Sequence, residues 1–184
     1  MEAARPGDVI LLYDMPWLVA HVIDYASGGV PLHHCALVLG HDVWEATIPR
    51  CRYVPVSEYQ ELLSEWASNW RYSVFGGDLL VEVWRWAPLA NWQLVALEHE
   101  ARRWLGVRYS LLRNYLRDAE TIHCSEFVSR CLVAAGLLQA EDFRDRRGEV
   151  KTPSRRTPVD LRDAIARRGW QPIGACLQLQ REIG

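Results

Sequence analysis

The sequence lacks any long hydrophobic run. No stretch approaches the roughly 18 consecutive apolar residues that a membrane-spanning helix needs, and the opening stretch MEAARPGD contains no apolar signal-peptide core. These absences predict a cytoplasmic protein without stable membrane insertion. They also argue against a role in remodelling the cell wall outside the cell.

Charge of one sign is not in excess either. The 21 Lys and Arg residues are nearly balanced by 23 Asp and Glu residues, and the formal net charge is −2. The one basic cluster, residues 144–156, is interleaved with Asp145 and Glu149. Because nucleic-acid-binding domains carry a concentrated positive surface, the sequence predicts no nucleic-acid partner.

Paired cysteine motifs are also missing. The 5 cysteines include no C-x-x-C pair, and an odd number does not indicate a disulfide framework. His33, His34 and Cys35, together with His41, have the chemistry of metal ligands, but their spacing matches no zinc pattern. We therefore expect free thiols, no metal and no cofactor.

The chain does contain enough apolar material for one core. Its 184 residues, 49% of them hydrophobic, suit a single domain spanning residues 1–184, and they include no internal repeat. Short apolar runs predict strands, and apolar residues spaced three or four apart predict helices. The predicted strands are 9–13, 33–39, 43–47, 51–55, 79–86 and 170–179, and the predicted helices are 14–28, 58–70, 91–104, 124–135 and one that opens at Thr157.

These elements do not alternate regularly between strand and helix. Regular alternation is typical of a parallel, doubly wound sheet, whereas this chain has a predicted hairpin near its middle, with its turn at residues 40–42. The pattern therefore favours the α+β class.

The segment from Ile122 to Gly136 contains the strongest candidate for chemistry. Its apolar residues follow Cys124 with the period of a helix that buries one face, and Gly136 is suited to end that helix. Cys124 is thereby placed at or near the helix start, where free N–H groups and the helix dipole stabilise a thiolate. Cys124 is a candidate nucleophile; the alternative is a small apolar residue packed in the core.

A nucleophilic cysteine needs a nearby base, and the sequence contains 6 histidines. Four have other interpretations: His21 and His99 lie inside predicted helices, His41 lies in a turn, and His123 points away from Cys124 if the helix has begun. His33 and His34 remain at the head of a strand. Because neighbours on a strand face opposite sides, the pattern leaves the choice between them open. Cys35, beside His34, is expected to face away from the site.

Several short motifs occur in an order that spans most of the chain. They are PGDVIL at 6–11, HCALV at 34–38, VWEA at 43–46, GVRY at 106–109, HCSEFV at 123–128 and TPVDL at 157–161. In these motifs and their order, the sequence resembles the circularly permuted papain-like cysteine peptidases of the NlpC superfamily, in particular the YiiX-like group. It departs from the pattern of that group at Ser110, where Asp is common, and at His123, where Tyr is common.

The resemblance implies a fold and a set of site residues. The fold would be papain-like (NlpC-type) with a circularly permuted topology, and a central antiparallel sheet packed against helices. By matching position, Cys124 would be the nucleophile, His34 the general base and later the general acid, and Glu45 the residue that orients the imidazole. The hydroxyl of Tyr109 would lie near the site, where it could donate a hydrogen bond to a developing oxyanion.

The predicted hairpin places Glu45 away from His34. With a turn at residues 40–42, Glu45 lies opposite Leu37 or Val38, and three or four residues of strand, about 10 to 13 Å, separate that point from His34. Direct contact then needs strong twist, a bulge or another register. The alternative for Glu45 is a charge on the exposed face of a hairpin.

Three functions fit these observations. The first is a cysteine hydrolase, an amidase or peptidase, that acts on a peptide, peptidoglycan-like or N-acyl substrate through a thioester acyl-enzyme. The second is a lipid-directed acyltransferase or thioesterase on the same fold. The 9 tryptophans favour it if Trp66 with Trp70, or Trp84 with Trp86, line an apolar groove and do not simply pack in the core. The third is a binding module without catalytic turnover. The sequence leaves the substrate and the oligomeric state open.

Overall fold

The computed structural model describes residues 4–13, 30–68, 80–110, 120–145, 147–173 and 177–178. The predicted helix at 14–28 lies outside these residues. The strands are β1 Val9–Tyr13, β2 Leu32–Leu39, β3 Asp42–Ala46, β4 Cys51–Pro55, β5 Leu80–Arg85, β6 Arg108–Tyr109, β7 Thr121–Ile122, β8 Gln171–Pro172 and β9 Leu177–Gln178. The α-helices are α1 Val56–Ser68, α2 Asn91–Trp104, α3 Cys124–Ala134 and α4 Pro158–Arg167, and two short 3-10 helices lie at Ala140–Asp142 and Pro153–Arg155.

A central sheet has the strand order β4-β3-β2-β1-β5-β8, and β9 also pairs with β5. All of these pairings are antiparallel. The hairpin between β2 and β3 turns at Gly40, whose φ of 61° is one that glycine adopts without strain. The predicted α+β class, with a central antiparallel sheet packed against helices, is confirmed.

The sheet separates two apolar cores. Alternate residues of β1, Val9 and Leu11, pack on the face that α2, α3 and α4 cover. The residues between them, Ile10 and Leu12, pack on the other face with Tyr59 of α1. Helices on both faces explain why β1 and β2 are buried along their whole length and have nearly continuous apolar sequences.

A second, two-stranded sheet leads into α3. β6 and β7 are parallel, with Arg108 opposite Thr121 and Tyr109 opposite Ile122. The backbone N–H of Tyr109 also donates to the carbonyl of Pro49 (3.0 Å), in the loop between β3 and β4. The start of α3 is thereby tied to the end of the central sheet where β2 begins and β3 ends.

The last helix begins as the sequence predicted. Thr157 caps α4: its hydroxyl accepts the N–H of Asp160 (3.2 Å), and the Asp160 carboxylate accepts the N–H of Thr157 (2.7 Å). Pro158 occupies the first turn, where its missing N–H costs no hydrogen bond. The predicted strand at 170–179 is present as the short strands β8 and β9. None of the helices in the described ranges is long and apolar enough to cross a membrane.

Candidate active site

Cys124 is the first residue of α3, as the sequence predicted. His123 precedes it as the N-cap, and Nδ1 of His123 accepts the backbone N–H of Glu126 (3.2 Å). Nε2 of His123 lies 2.9 Å from the carbonyl oxygen of Ser154. Because a carbonyl can only accept, this contact places the ring proton on Nε2. Both ring nitrogens of His123 are therefore engaged with backbone groups, and the ring is not positioned as a base for Cys124.

His34 and Glu45 form a direct hydrogen bond. The distance between Nε2 of His34 and Oε2 of Glu45 is 2.8 Å, and both residues are buried. The imidazole is also hydrogen-bonded to the sulfur of Cys124. Since Nε2 is engaged by the carboxylate, Nδ1 is left for the sulfur. The ring of His34 therefore connects Cys124 to Glu45.

The register of the hairpin explains this contact, and it shows that the separation expected from the sequence was wrong. The turn has two residues and not three, because Leu39 pairs with Asp42. Continuing the same register places Glu45 opposite Ala36, on the same face of the sheet as His34. Only two residues of β2, about 6.6 Å, then separate the two positions along the strand, and the two side chains span that distance. A slip of one residue would have turned Glu45 to the other face.

The two strands also separate at the site. Toward this end of the sheet, Leu37 and Trp44 are the last residues through which β2 pairs with β3. β2 continues along β1, where Leu12 pairs with His34 and a register irregularity follows. α3 packs against both β2 and β3. The opening between the strands lets the ring of His34 contact a carboxylate on one face of the sheet and a sulfur on the other.

The carboxylate of Glu45 is held by two further residues. Nε and Nη2 of Arg52 donate to Oε1 at 2.9 and 2.8 Å, and the hydroxyl of Tyr59 donates to Oε2 at 3.3 Å. Burial raises the pKa of Glu45, but the hydrogen bonds and charges of His34 and Arg52 outweigh it and hold that pKa below its usual value. The carboxylate is therefore ionised, and its oxygens are fully engaged.

The electrostatics favour a charged pair between Cys124 and His34. Burial lowers the pKa of His34, but hydrogen bonds to Cys124 and Glu45 outweigh it and raise that pKa to about 10. A hydrogen bond from Cys35 is the largest cause that lowers the pKa of Cys124; burial opposes it, and the hydrogen bond with His34 lowers it further. The arrangement therefore stabilises a thiolate beside an imidazolium.

Cys35 contacts the sulfur of Cys124, which corrects the expectation that it faces away from the site. The two cysteines belong to the same buried cluster, on the face of the sheet that α3 covers. His34 and Cys35 do face opposite sides of β2, but the sulfur lies on the side of Cys35, and His34 reaches it through the opening between the strands. Burial raises the pKa of Cys35, and the hydrogen bond to Cys124 raises it further. Cys35 therefore remains a thiol and donates its proton to the thiolate.

Tyr109 also contacts Cys124. It is the second residue of β6, and its phenol is hydrogen-bonded to the sulfur. Burial raises the pKa of Tyr109, and the negative charge on Cys124 raises it further, so the phenol remains protonated and can donate. The structure thus brings together the four residues that the resemblance singled out: Cys124, His34, Glu45 and Tyr109.

Access to this group is narrow. Cys124 retains 2% of its surface exposed and His34 retains 6%. Of the remaining histidines, His33 is buried, His41 and His99 are exposed, and His21 lies outside the described residues.

The sequence analysis did not identify three residues that contribute to the candidate site: Arg52, Tyr59 and Cys35. A signal existed for Arg52, because it lies directly opposite Glu45 in the β3–β4 ladder, and opposite charges at facing positions stabilise a sheet. Tyr59 carried no such signal, since it reaches Glu45 from α1 by tertiary packing. Cys35 was missed because the side on which the sulfur lies depends on where α3 packs.

Comparisons with known proteins support the fold alone. No protein-family model matches the sequence, and no curated protein matches it significantly. Among solved structures, the chain is similar to the metalloprotein YiiX from Escherichia coli O157:H7, with a TM-score of 0.55 and 18% sequence identity. The alignment covers 74% of this chain and 69% of that chain. The chain therefore has a YiiX-like fold.

Proposed function

We propose that this protein is a cysteine hydrolase of the amidase or peptidase type, which forms a thioester acyl-enzyme on Cys124. The observation that carries the proposal is the position of the His34 ring, which is hydrogen-bonded to the sulfur on one side and to the ionised carboxylate of Glu45 on the other. A cysteine nucleophile needs a base within hydrogen-bond reach and a third group that orients that base. Cys124, His34 and Glu45 meet both requirements.

The reaction begins with attack by the Cys124 thiolate on the carbonyl carbon of an amide, ester or thioester. A carbon–sulfur bond forms, and the carbonyl oxygen becomes an oxyanion beside the N–H groups at the start of α3 and the phenol of Tyr109. The imidazolium of His34 then gives its proton to the leaving group as the bond to that group breaks. Water, deprotonated by His34, attacks the thioester, releases the acid and restores the thiolate.

A permuted NlpC-type papain-like topology belongs to this proposal. Its support is the chain order, in which the hairpin that carries His34 and Glu45 precedes the helix that carries Cys124.

The proposed mechanism has no metal step. YiiX is described as a metalloprotein, so the fit of a metal to this site needs a test. Glu45 already pairs both oxygens, with the cation of Arg52 on one of them, and a second cation there would be repelled. Within the described ranges, no group of three or more His, Cys, Asp and Glu side chains is arranged to hold a metal ion. The residues present therefore do not fit a metal at this position.

One alkylation experiment and one substrate screen distinguish the proposed amidase or peptidase from two rival functions. A lipid-directed acyltransferase or thioesterase would use the same thiolate on a longer acyl chain, and a binding module would have no activated thiolate. Trp84 and Trp86 both pack against the core, and the indole N–H of Trp84 donates to Glu82 (2.9 Å). Trp70 and the side chain of Trp66 lie outside the part of the chain that the structure describes. We therefore rank the amidase or peptidase first.

The test is competitive alkylation by iodoacetamide near neutral pH, read for each cysteine by peptide mass spectrometry. We expect Cys124 to react much faster than Cys35, Cys51 and Cys131, which are buried thiols with raised pKa values. His34→Ala should slow the reaction of Cys124, and it should lower any hydrolytic activity by about 10² to 10⁴-fold, the usual contribution of a general acid–base group. If all cysteines are labelled at similar rates, the result would contradict the hydrolase and support a binding module without catalytic turnover.

A substrate screen then separates the enzymes. N-acyl peptides and acyl lipids are compared, with Cys124→Ala as the blank. Release of acid from the peptides alone supports the amidase, and release or transfer from the lipids alone supports the rival.

A further inference from the structure

The first turn of α3 is attached to residues 152–157, the segment that leads into α4. The hydroxyl of Ser125 donates to the carbonyl oxygen of Arg156 (2.6 Å), and Nε2 of His123 donates to the carbonyl oxygen of Ser154 (2.9 Å). The same hydroxyl lies 3.1 Å from Nδ1 of His123. These contacts come from the residues immediately before and after the candidate nucleophile, so one segment holds both of its neighbours in sequence.

The acceptor for Ser125 is itself fixed in place. The side chain of Arg156 is buried, and its guanidinium carbon lies 4.0 Å from the centre of the Phe143 ring. Its Nη1 also donates to the hydroxyl of Ser129 (3.1 Å), which lies one turn after Ser125 on the same face of α3. Arg156 therefore contacts α3 twice, through its carbonyl at Ser125 and through its side chain at Ser129.

The attached turn carries the groups that the proposed reaction uses. The first N–H groups of a helix have no acceptor within it. In α3, Nδ1 of His123 accepts the N–H of Glu126 (3.2 Å), and the carbonyl of His123 accepts that of Phe127 (3.0 Å). The N–H groups of Cys124 and Ser125 remain for the oxyanion. The direction of these two groups and the position of the sulfur depend on how the first turn is held.

We propose that Ser125 is a positioning residue. It holds the first turn of α3 against the carbonyl of Arg156, so that the sulfur of Cys124 and the two remaining N–H groups meet the same substrate carbonyl. The reaction that it serves is the proposed hydrolysis, and the inference rests on that function. Ser125 acts through the helix and does not touch the substrate, because its side chain is buried and its proton is donated to Arg156.

The geometry of this hydrogen bond supports a positioning role. Its length of 2.6 Å is at the short end of the range for a hydroxyl and a carbonyl oxygen. A displacement of about 1 Å at the reacting groups can cost about 10²-fold in rate. Loss of the bond should therefore affect the chemical step more than the binding of substrate.

The first experiment compares Ser125→Ala with the matched control Ser129→Ala. Each substitution removes one buried hydroxyl that contacts Arg156, but only Ser125 lies beside Cys124. With the substrate found in the screen, Ser125→Ala should lower kcat by about 10- to 100-fold and change KM by less than about twofold, because no contact with the substrate is lost. Ser129→Ala should leave kcat close to that of the unaltered protein. Both variants are assayed where urea unfolding shows them to be fully folded.

The second experiment needs no substrate. The rate at which iodoacetamide alkylates Cys124 is measured as a function of pH in both variants. The thiolate is stabilised by the helix start and by hydrogen bonds with Cys35 and His34, so a displaced first turn should move the midpoint to higher pH in Ser125→Ala. Ser129→Ala should retain the midpoint of the unaltered protein. A contribution of Ser125 to fold stability alone would leave both midpoints unchanged.

Two results would overturn the positioning role: an equal effect on kcat in the two variants, or an unchanged midpoint in Ser125→Ala. Failure of the proposed function has a different signature. In that case the unaltered protein hydrolyses none of the peptides in the screen, whereas the alkylation midpoint still shifts in Ser125→Ala and not in Ser129→Ala.

Discussion

Nε2 of His34 lies 2.8 Å from Oε2 of Glu45, at a point where the strands that carry the two residues no longer pair. A continuous ladder would confine His34 to one face of the sheet. The opening gives its ring a carboxylate on one side and a sulfur on the other.

Glu45→Gln should lower the pKa of His34 below about 10, because the carboxylate supplies a hydrogen bond and a negative charge that hold the imidazolium. The amide keeps the shape of the side chain but loses the charge. The pKa of the ring is measured from its nitrogen chemical shifts between pH 5 and 11. Glu98→Gln, which changes an exposed ion pair on α2, should leave the titration unchanged. An unaltered pKa in Glu45→Gln would show that the carboxylate does not act on the ring.

Cys35→Ala should make Cys124 a weaker acid. The hydrogen bond from Cys35 is the largest cause of the lowered pKa of Cys124, and alanine cannot donate it. The alkylation rate of Cys124 as a function of pH should therefore have its midpoint at higher pH. Cys131→Ala is the matched control, since it removes another buried thiol from the same core cluster. If both variants shift the midpoint equally, the effect comes from repacking and not from the hydrogen bond.

Tyr109→Phe should lower kcat by about 10² to 10³-fold, or about 2.7 to 4 kcal/mol, if the phenol donates to the oxyanion. The substitution removes one hydroxyl and keeps the ring that packs beside the site. Steady-state kinetics on the substrate found in the screen provide the measurement. Tyr59→Phe removes a hydroxyl that contacts Glu45 and not the sulfur, so its loss should be smaller. A decrease under tenfold in Tyr109→Phe would assign Tyr109 to packing.

Arg52→Gln should destabilise the fold by about 1 to 3 kcal/mol, because the buried Oε1 of Glu45 would lose its charged partner. The guanidinium is partly exposed, so solvent screening limits the loss. The free energy of unfolding is measured in urea. Arg102→Gln breaks an exposed ion pair within one helix and should cost only about 0.3 to 0.5 kcal/mol. Equal losses in the two variants would mean that Arg52 contributes no more than a surface ion pair.

Much of the architecture could be predicted from local pattern. The helix predicted at 91–104 has those bounds in the structure, and Cys124 begins its helix as predicted. Such elements depend on the spacing of apolar residues and on caps, which are properties of consecutive residues. The exact pairing of two strands is not local in this sense, and the register of β2 with β3 that we expected from the sequence was wrong by one or two residues.

Some features of the candidate site also follow from local sequence, whereas others depend on tertiary structure. The sequence alone determined that Cys124 would occupy a helix N-terminus, and it limited the base to His33 or His34; the resemblance then selected His34. The catalytic roles of Cys124, His34, Glu45 and Tyr109 stay predictions. Only the tertiary structure decided that Glu45 reaches His34 and that Cys35 supports the thiolate. The physical reason is that both contacts depend on a two-residue turn, an opening between strands and the packing of α3, and each of these is set by parts of the chain far apart in sequence.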